Sequence, residues 1–158
     1  IVVACTRKAV PGTRHLSAKA ICVAGATMHR CGLSDTILLF PEHRAFGGED
    51  ALARQVAELR RRNPERSIVV EVKTPEDALI ARDRGANVLQ LEKFSPPEVA
   101  NLTSLLAASD GPQPVIAVAG GVTAENAANY ARAGAQVLVT SSPYTAKPAD
   151  VQVTIGSA

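Results

Sequence analysis

The stretch ARDRGANVL (residues 81–89) joins the end of a predicted helix to the start of a predicted strand, with Gly85 at the joint. Glycine readily adopts the left-handed backbone that ends many helices, and the apolar residues that follow favour a buried strand. The stretch ARAGAQVL (residues 131–138) has the same layout around Gly134. Two similar helix-to-strand joints are typical of repeated β/α units.

Six apolar runs rich in Val, Ile and Leu recur along the chain, at residues 1–6, 36–40, 67–72, 87–91, 114–119 and 136–140. Their apolar residues are continuous rather than alternating with polar ones, as in parallel strands covered on both faces. A helix start agrees: Ser95-Pro96-Pro97-Glu98 combines an N-cap serine, first-turn prolines and a capping-box glutamate. The sequence predicts an α/β fold, a TIM-like open (β/α) barrel with parallel strands, as one domain over residues 1–158.

Composition excludes several classes of protein. The formal net charge of +2 and an aromatic content of 3% without Trp give neither a strongly basic surface nor base-stacking platforms. We therefore predict no nucleic-acid partner. We also predict no membrane partner and a cytoplasmic protein, because no apolar run approaches about 18 residues and the N-terminus lacks a signal-type pattern.

The three cysteines, Cys5, Cys22 and Cys31, are odd in number and unequally spaced. This pattern fits neither a disulfide framework nor a paired-cysteine zinc site. We expect reduced, mostly buried thiols.

Cationic side chains follow the first predicted strand and precede the second. Thr6-Arg7-Lys8 leads into Pro11-Gly12-Thr13-Arg14, and His29-Arg30 comes next. In parallel barrels the loops at the carboxyl ends of strands build the active site, and Arg and Lys are the donors that anionic ligands favour. The alternatives are a solvated basic turn and, for His29, a structural histidine.

Two glutamates lie at the ends of successive strands. Glu71 interrupts Ile68-Val69-Val70 and Val72, and Glu92 follows Leu91. Carboxylates are rarely buried without a partner, so the pair predicts a metal or a cationic ligand group. One or two carboxylates plus substrate phosphates are the usual Mg²⁺ ligands. A salt bridge to Lys73 or Lys93 is the alternative.

Two further sites for a phosphate follow the last two predicted strands. Gly120-Gly121 precedes a helix expected to begin near Thr123, so bare backbone N–H groups would meet a phosphate at a helix start. Ser141 and its neighbours offer hydroxyl groups where barrel phosphate sites often lie. The residues alone predict a barrel enzyme that acts on a phosphorylated anion with Mg²⁺.

The order and spacing of these motifs resemble the barrel domain of the quinolinate phosphoribosyltransferase family over essentially the whole chain. The shared motifs are TRKxxPG (6–12), HRxGL (29–33), Glu71-Val72 and Gly120-Gly121. PGT (11–13), SxKA (17–20), HRxGLS (29–34) and FPxHR (40–44) are similar to its ModD branch, which is associated with molybdenum-uptake genes.

The resemblance implies transfer of phosphoribosyl from phosphoribosyl pyrophosphate to the nitrogen of an aromatic heterocyclic acid, with release of pyrophosphate. Positioning and charge stabilisation supply most of the rate in such a reaction. The implied catalytic residues are Lys8, Glu71 and Glu92, and the two glutamates would meet Mg²⁺ or the ribose hydroxyls. The implied substrate-binding residues are Thr6, Arg7, His29, Arg30, Gly120, Gly121 and Ser141.

The resemblance also implies a homodimer with an N-terminal α/β domain that is absent from this chain. We expect the chain to begin inside a longer protein, because residue 1 is Ile and already belongs to a predicted strand. The alternative function is a non-catalytic sensor of a phosphorylated metabolite linked to molybdenum uptake.

Several positions depart from the pattern of the quinolinate enzymes. Phe40 replaces a lysine, Glu92 an aspartate and Ala119 a serine, and the last loop has Ser141 and Thr145 instead of a glycine and a histidine. Phe40 cannot replace the lost cation toward an acceptor carboxylate. We therefore expect an acceptor with fewer carboxylates than quinolinate.

Overall fold

The computed structural model describes residues 1–32, 35–45, 47–48 and 50–156. Its strands are β1 (Val2–Cys5), β2 (Thr27–Met28), β3 (Ile37–Leu39), β4 (Ile68–Val72), β5 (Val88–Glu92), β6 (Val115–Ala119) and β7 (Val137–Thr140). Its helices are α1 (Arg14–Val23), α2 (Pro41–Arg44), α3 (Ala51–Arg62), α4 (Pro75–Asp83), α5 (Pro96–Ala107) and α6 (Ala127–Arg132), followed by a 3₁₀ turn over Ser142–Thr145. None of the described helices is long and apolar enough to cross a membrane.

The strands form one parallel sheet in the order β2-β1-β7-β6-β5-β4-β3. Residues that follow strands from one edge of this sheet to the other line a single cavity, so the sheet curls. Within the described ranges, β2 and β3 are edges and do not pair with each other. The predicted α/β class and open parallel sheet are confirmed as a curled half-barrel of seven strands.

All six predicted strand runs are confirmed, and β2 is an addition that the sequence did not predict. Its two residues pair with the end of β1, Ala4 with Thr27 and Cys5 with Met28. Two residues are too few to show a hydrophobic period in the sequence. The strand forms because its backbone pairs with that of β1.

The core lies between the outer face of the sheet and the helices. Alternate residues of β4, Ile68, Val70 and Val72, belong to the main cluster of buried apolar residues. Glu71 lies between them in sequence and lines the cavity instead, because successive side chains of a strand point to opposite faces. On the cavity side, Ala117 and Ala119 form a small separate cluster with Val139. These short side chains leave space inside the curl.

The predicted start of α5 and the two predicted glycine helix ends agree with the structure. The Ser95 N–H donates to Glu98 Oε2 at 2.6 Å, which is half of the capping box that opens α5. Gly85 and Gly134 end α4 and α6 with φ values of +94° and +99°. The repeated joint is therefore a helix, a left-handed glycine and a parallel strand in both copies.

The prediction that the cysteines are mostly buried is wrong. All three are free thiols, but Cys22 and Cys31 are exposed and Cys5 alone of the three is buried. Cys22 belongs to α1, whose one buried residue is Ile21. Cys31 lies in the loop after β2, so neither thiol reaches the core.

Candidate active site

One cavity of about 860 Å³ lies at the carboxyl ends of the strands. It brings together every residue that the sequence proposed for a site: Thr6, Arg7, Lys8, His29, Arg30, Glu71, Glu92, Gly120, Gly121 and Ser141. They lie in, or directly after, six different strands: β1, β2, β4, β5, β6 and β7. The parallel topology explains this convergence, because it places the carboxyl end of every strand at one edge. Leu33 and Ser34 of the HRxGLS motif lie outside the described residues.

Arg7, His29 and Arg30 form a positively charged wall of the cavity. Burial lowers the pKa of His29, the charges of Arg30 and Arg7 lower it further, and Asp35 opposes them. Burial and Arg7 likewise lower the pKa of Arg30. Burial is the main cause of both shifts, and the neighbouring arginine charges add to it. An anion would relieve the repulsion.

Arg30 is the most constrained residue of this wall. Its φ of +62° is in the left-handed region, which a non-glycine residue seldom adopts without support. Its buried Nε has no hydrogen-bond partner among the described residues. A buried guanidinium N–H without an acceptor costs free energy, and a phosphate or carboxylate oxygen would supply the missing bond.

Glu71 and Glu92 form the opposite wall at two depths. Glu71 pairs in register with Gln90, whereas Glu92 pairs with Ala119, two residues nearer the strand ends. Glu71 is 8% exposed. Burial raises the pKa of Glu71, Gln90 opposes the shift by a hydrogen bond, and Glu92 and Glu42 raise the pKa further. The two carboxylates therefore repel each other within this wall.

The chemistry of this donor set fits a divalent cation that shares its ligands with a substrate. Neither glutamate forms a salt bridge to Lys73 or Lys93 in the described part of the chain. That part also contains no cluster of three metal-binding side chains. Two oxygen ligands plus substrate phosphates are a common Mg²⁺ arrangement, whereas a site built from protein ligands alone needs more.

Gly120 and Gly121 separate the two walls, and Gly120 has a steric reason to be glycine. A Cβ at Gly120 would lie 3.0 Å from both carboxylate oxygens of Glu92 and 2.8 Å from Lys93 Cγ. A Cβ at Gly121 would meet nothing within 4 Å. Both residues have positive φ, +82° and +94°. Gly120 thus makes room for Glu92, and the backbone at Gly121 faces open space.

The predicted helix start near Thr123 is wrong, because α6 begins at Ala127. The Thr123 N–H donates to Asn126 Oδ1, and Asn126 Nδ2 donates to the Gly121 carbonyl, both at 2.9 Å. A side chain that bonds nearby backbone groups competes with helical hydrogen bonds and produces a turn. The glycine pair therefore precedes a turn rather than a helix.

The segment after β7 connects the two ends of the chain at the cavity. Thr140 Oγ1 donates to the Val122 carbonyl at 2.6 Å, and the Ser142 N–H donates to Thr140 Oγ1 at 3.1 Å. The Tyr144 hydroxyl donates to the Thr6 carbonyl at 2.5 Å. Half-buried Ser141 lies between these anchored residues, so its hydroxyl has a fixed place on the cavity wall.

The sequence reasoning missed Gln90 and Tyr144, which also line the cavity, whereas Arg14, named there as part of the basic loop after β1, lines it as predicted. Gln90 had a detectable signal. It interrupts the apolar run of β5 two residues before Glu92, so both side chains must point to the same face of the sheet. Tyr144 gave no comparable signal, because it lies in a turn where polar residues are ordinary.

Residues 1–154 match the family "Quinolinate phosphoribosyl transferase, C-terminal domain". The chain belongs to this family. The match covers every residue of the cavity, so the resemblance seen in the sequence is confirmed at the level of the family.

Three relatives illustrate the range of similarity to this quinolinate phosphoribosyltransferase domain. The ModD protein of Rhodobacter capsulatus, named as a pyrophosphorylase, is 57% identical over 136 residues, 85% of this chain and 51% of the relative. A protein of Archaeoglobus fulgidus named for nicotinate-nucleotide pyrophosphorylase (carboxylating) is 35% identical, over 87% of this chain and 52% of its own. The crystal structure of NadC from Streptococcus pyogenes superposes with a TM-score of 0.78 at 25% identity, over 90% of this chain and 48% of that one.

The chain spans about half the length of the curated relatives it matches, as those shares show. Family membership therefore fixes the kind of domain. The activity, substrates and partners of a whole protein are proposed below.

Proposed function

We propose that this domain transfers a phosphoribosyl group from phosphoribosyl pyrophosphate to the ring nitrogen of an aromatic heterocyclic acid and releases pyrophosphate. The observation that carries the proposal is the division of one cavity into two charged walls. Arg7, His29 and Arg30 form the cationic wall, and Glu71 and Glu92 form the anionic wall. The names of the matched family and relatives favour a transferase over a non-catalytic sensor.

The cationic wall suits the anionic parts of both substrates. Arg7 and Lys8 at the rim would bind phosphate oxygens, and the unpaired Nε of Arg30 would donate to a further oxygen. Thr6, His29 and Ser141 supply additional donors around the same space. As pyrophosphate leaves, negative charge grows on its oxygens, and donors fixed before the reaction stabilise this charge without rearrangement.

The anionic wall suits the ribose, whose anomeric carbon gains positive charge in the transition state. Glu71 and Glu92 would stabilise that charge and would hold Mg²⁺, which when bound neutralises the departing pyrophosphate. The open backbone at Gly121, beside Gly120, would receive the 5′-phosphate. With the phosphates held at two places and the carboxylates on the other wall, the anomeric carbon would face the acceptor nitrogen.

The acceptor in this proposal carries fewer carboxylates than quinolinate. Phe40 lines the cavity beside Leu38, and its ring lies 5.7 Å from that of His43. The Phe40 N–H donates to His43 Nδ1 at 3.0 Å, which holds the start of α2 against the cavity. This part of the wall therefore offers an apolar surface where the quinolinate enzymes have a lysine.

The first experiment is to measure pyrophosphate release from phosphoribosyl pyrophosphate by the full-length protein with Mg²⁺. Quinolinate, nicotinate and related heterocyclic acids are supplied separately. We expect release with one acceptor and about a hundredfold loss in Arg7→Gln, since a fixed charge contact with the transition state is removed. Arg132→Gln, an exposed arginine on α6 outside the cavity, is the matched control.

Tight binding of phosphoribosyl pyrophosphate with no release for any acceptor would reject the transferase in favour of a sensor. The homodimer and the added N-terminal domain stay predictions from the resemblance, and the cytoplasmic location stays a prediction from the sequence pattern.

A further inference from the structure

Gln90 is a buried amide at the floor of the cavity. It is 3% exposed and belongs to β5, between Glu71 on β4 and Ala117 on β6 in the same register row. Its Nε2 donates to Glu71 Oε2 at 2.7 Å. Its Oε1 is buried and has no hydrogen-bond partner among the described residues. One half of the amide is thus satisfied within the protein and the other half is not.

The chemistry of Glu71 determines which way the amide points. An ionised carboxylate only accepts hydrogen bonds, so the NH₂ group of Gln90 faces it and Oε1 faces away. The side chain of neighbouring Ala117 has no donor to offer. A buried amide oxygen without a donor costs free energy. That cost is recovered when a bound ligand supplies an N–H or O–H group.

The surrounding charges restrict which part of a ligand can do this. Glu71 and Gln90 Oε1 both present acceptor oxygens, and Glu92 adds negative charge above them. Phosphates and carboxylates are repelled from such a place and attracted to the wall of Arg7 and Arg30. The acceptor's reacting nitrogen needs a free lone pair and so carries no proton to donate. The hydroxyl groups of the ribose are the remaining donors.

We infer that Gln90 is a specificity-determining residue that recognises the ribose diol: its Oε1 accepts a hydrogen bond from one hydroxyl while Glu71 accepts from the adjacent one. This inference rests on the proposed function, because it assigns a part of the same donor substrate. It adds to the site a neutral acceptor, which selects hydroxyl groups without attracting a metal ion as strongly as a third carboxylate would.

Calorimetric titration tests the inference with three probes: ribose 5-phosphate, its 2-deoxy analogue and its 3-deoxy analogue. We expect the unaltered protein to bind ribose 5-phosphate about tenfold more tightly than each analogue, the size of one hydrogen bond to a buried acceptor. In Gln90→Met, which keeps the side-chain length, affinity for ribose 5-phosphate falls about tenfold and the preference over one analogue disappears. Inorganic phosphate, titrated alongside, binds both proteins equally.

Gln113→Met is the matched control. Gln113 is an exposed residue whose amide Nε2 donates to the Leu106 carbonyl, and it lies in the loop before β6, outside the cavity. This variant should keep the preference for the diol. A purely structural role for Gln90 would weaken binding of all three sugars and of phosphate alike, so the loss of preference separates recognition from folding.

Two results would overturn the inference while leaving the proposed function intact. One is an unaltered protein that binds ribose 5-phosphate and phosphoribosyl pyrophosphate but does not distinguish either deoxy analogue, an outcome that needs no variant to fold. The other is a folded Gln90→Met protein that keeps both preferences. An unaltered protein that binds neither ribose 5-phosphate nor phosphoribosyl pyrophosphate would reject the proposed function itself.

Discussion

Replacing Gly120 with alanine tests whether the position of the Glu92 carboxylate controls catalysis. The new Cβ would lie 3.0 Å from both Glu92 oxygens and 2.8 Å from Lys93 Cγ, whereas ordinary contact starts at 3.4 Å. The carboxylate must therefore retreat by about 0.4 Å and Lys93 Cγ by about 0.6 Å. The substitution also places a side chain at a φ of +82°.

These two effects have separate magnitudes. A left-handed backbone costs an L-residue about 1–2 kcal/mol, which lowers the melting temperature by about 2–8 °C for a chain of this size. Displacing a reacting group by 1 Å can cost about a hundredfold in rate, so a shift of half that size predicts a loss of about tenfold in kcat. The stability loss comes from the backbone and the rate loss from Glu92.

Gly85→Ala is the matched control, because Gly85 also has a positive φ, +94°, and its Cβ would meet Arg60 at an ordinary 3.9 Å, outside the cavity. Thermal unfolding followed by circular dichroism should show similar losses of stability for both variants. Pyrophosphate release, measured well below both melting temperatures, should fall in Gly120→Ala alone. Equal rates in the two variants would refute the argument that Glu92 needs this position.

Three other substitutions test individual features of the site. Burial raises the pKa of Glu71, so the folded state favours its protonated form and its contribution to stability is lost as pH rises above 4.5. Urea unfolding should therefore show that Glu71→Gln gains stability over the unaltered protein between pH 4 and pH 8. Mg²⁺-dependent binding of phosphoribosyl pyrophosphate should weaken in this variant. Unchanged binding would exclude the metal role of Glu71. Burial lowers the pKa of His29 below 6.5, and a bound anion favours its protonated form. Calorimetry should therefore show that sulfate binds more tightly as pH falls through 6.5. In His29→Gln this gain in sulfate affinity should be smaller. Phe40→Lys should strengthen quinolinate binding about tenfold or more through a charged hydrogen bond, and no gain would count against the specificity assigned to Phe40.

The strands and the site loops were predictable because each has a local cause. Continuous Val, Ile and Leu marked β4 and β6, and the rule that carboxyl ends of parallel strands share one edge brought Arg7 and Glu71 together before any coordinates. The family resemblance supplied the roles. The elements that were not predicted correctly depend on tertiary context. Strand β2 forms through its pairing with β1, and the start of α6 depends on the hydrogen bonds of Asn126.

Gln90 shows another limit of prediction from a single sequence. Its place in β5 predicts the face on which it lies, but its importance arises from an oxygen left without a donor. Whether an amide is satisfied depends on every neighbour from β4 and β6. A single sequence does not contain that information in any local pattern.

The pairing of β1 with β7 has a consequence for how the chain acquires its fold. Val2 pairs with Val137 and Cys5 with Thr140. On this side, β1 can pair only with a strand that is synthesised about 135 residues later. Strands β4, β5 and β6 pair with sequence neighbours and can assemble early, since short loops close at less entropic cost. On a ribosome β1 would pair only with the two residues of β2 until synthesis has passed β7. The active site of this domain is then completed late in folding, when β1 and the cationic loop that follows it dock against β7.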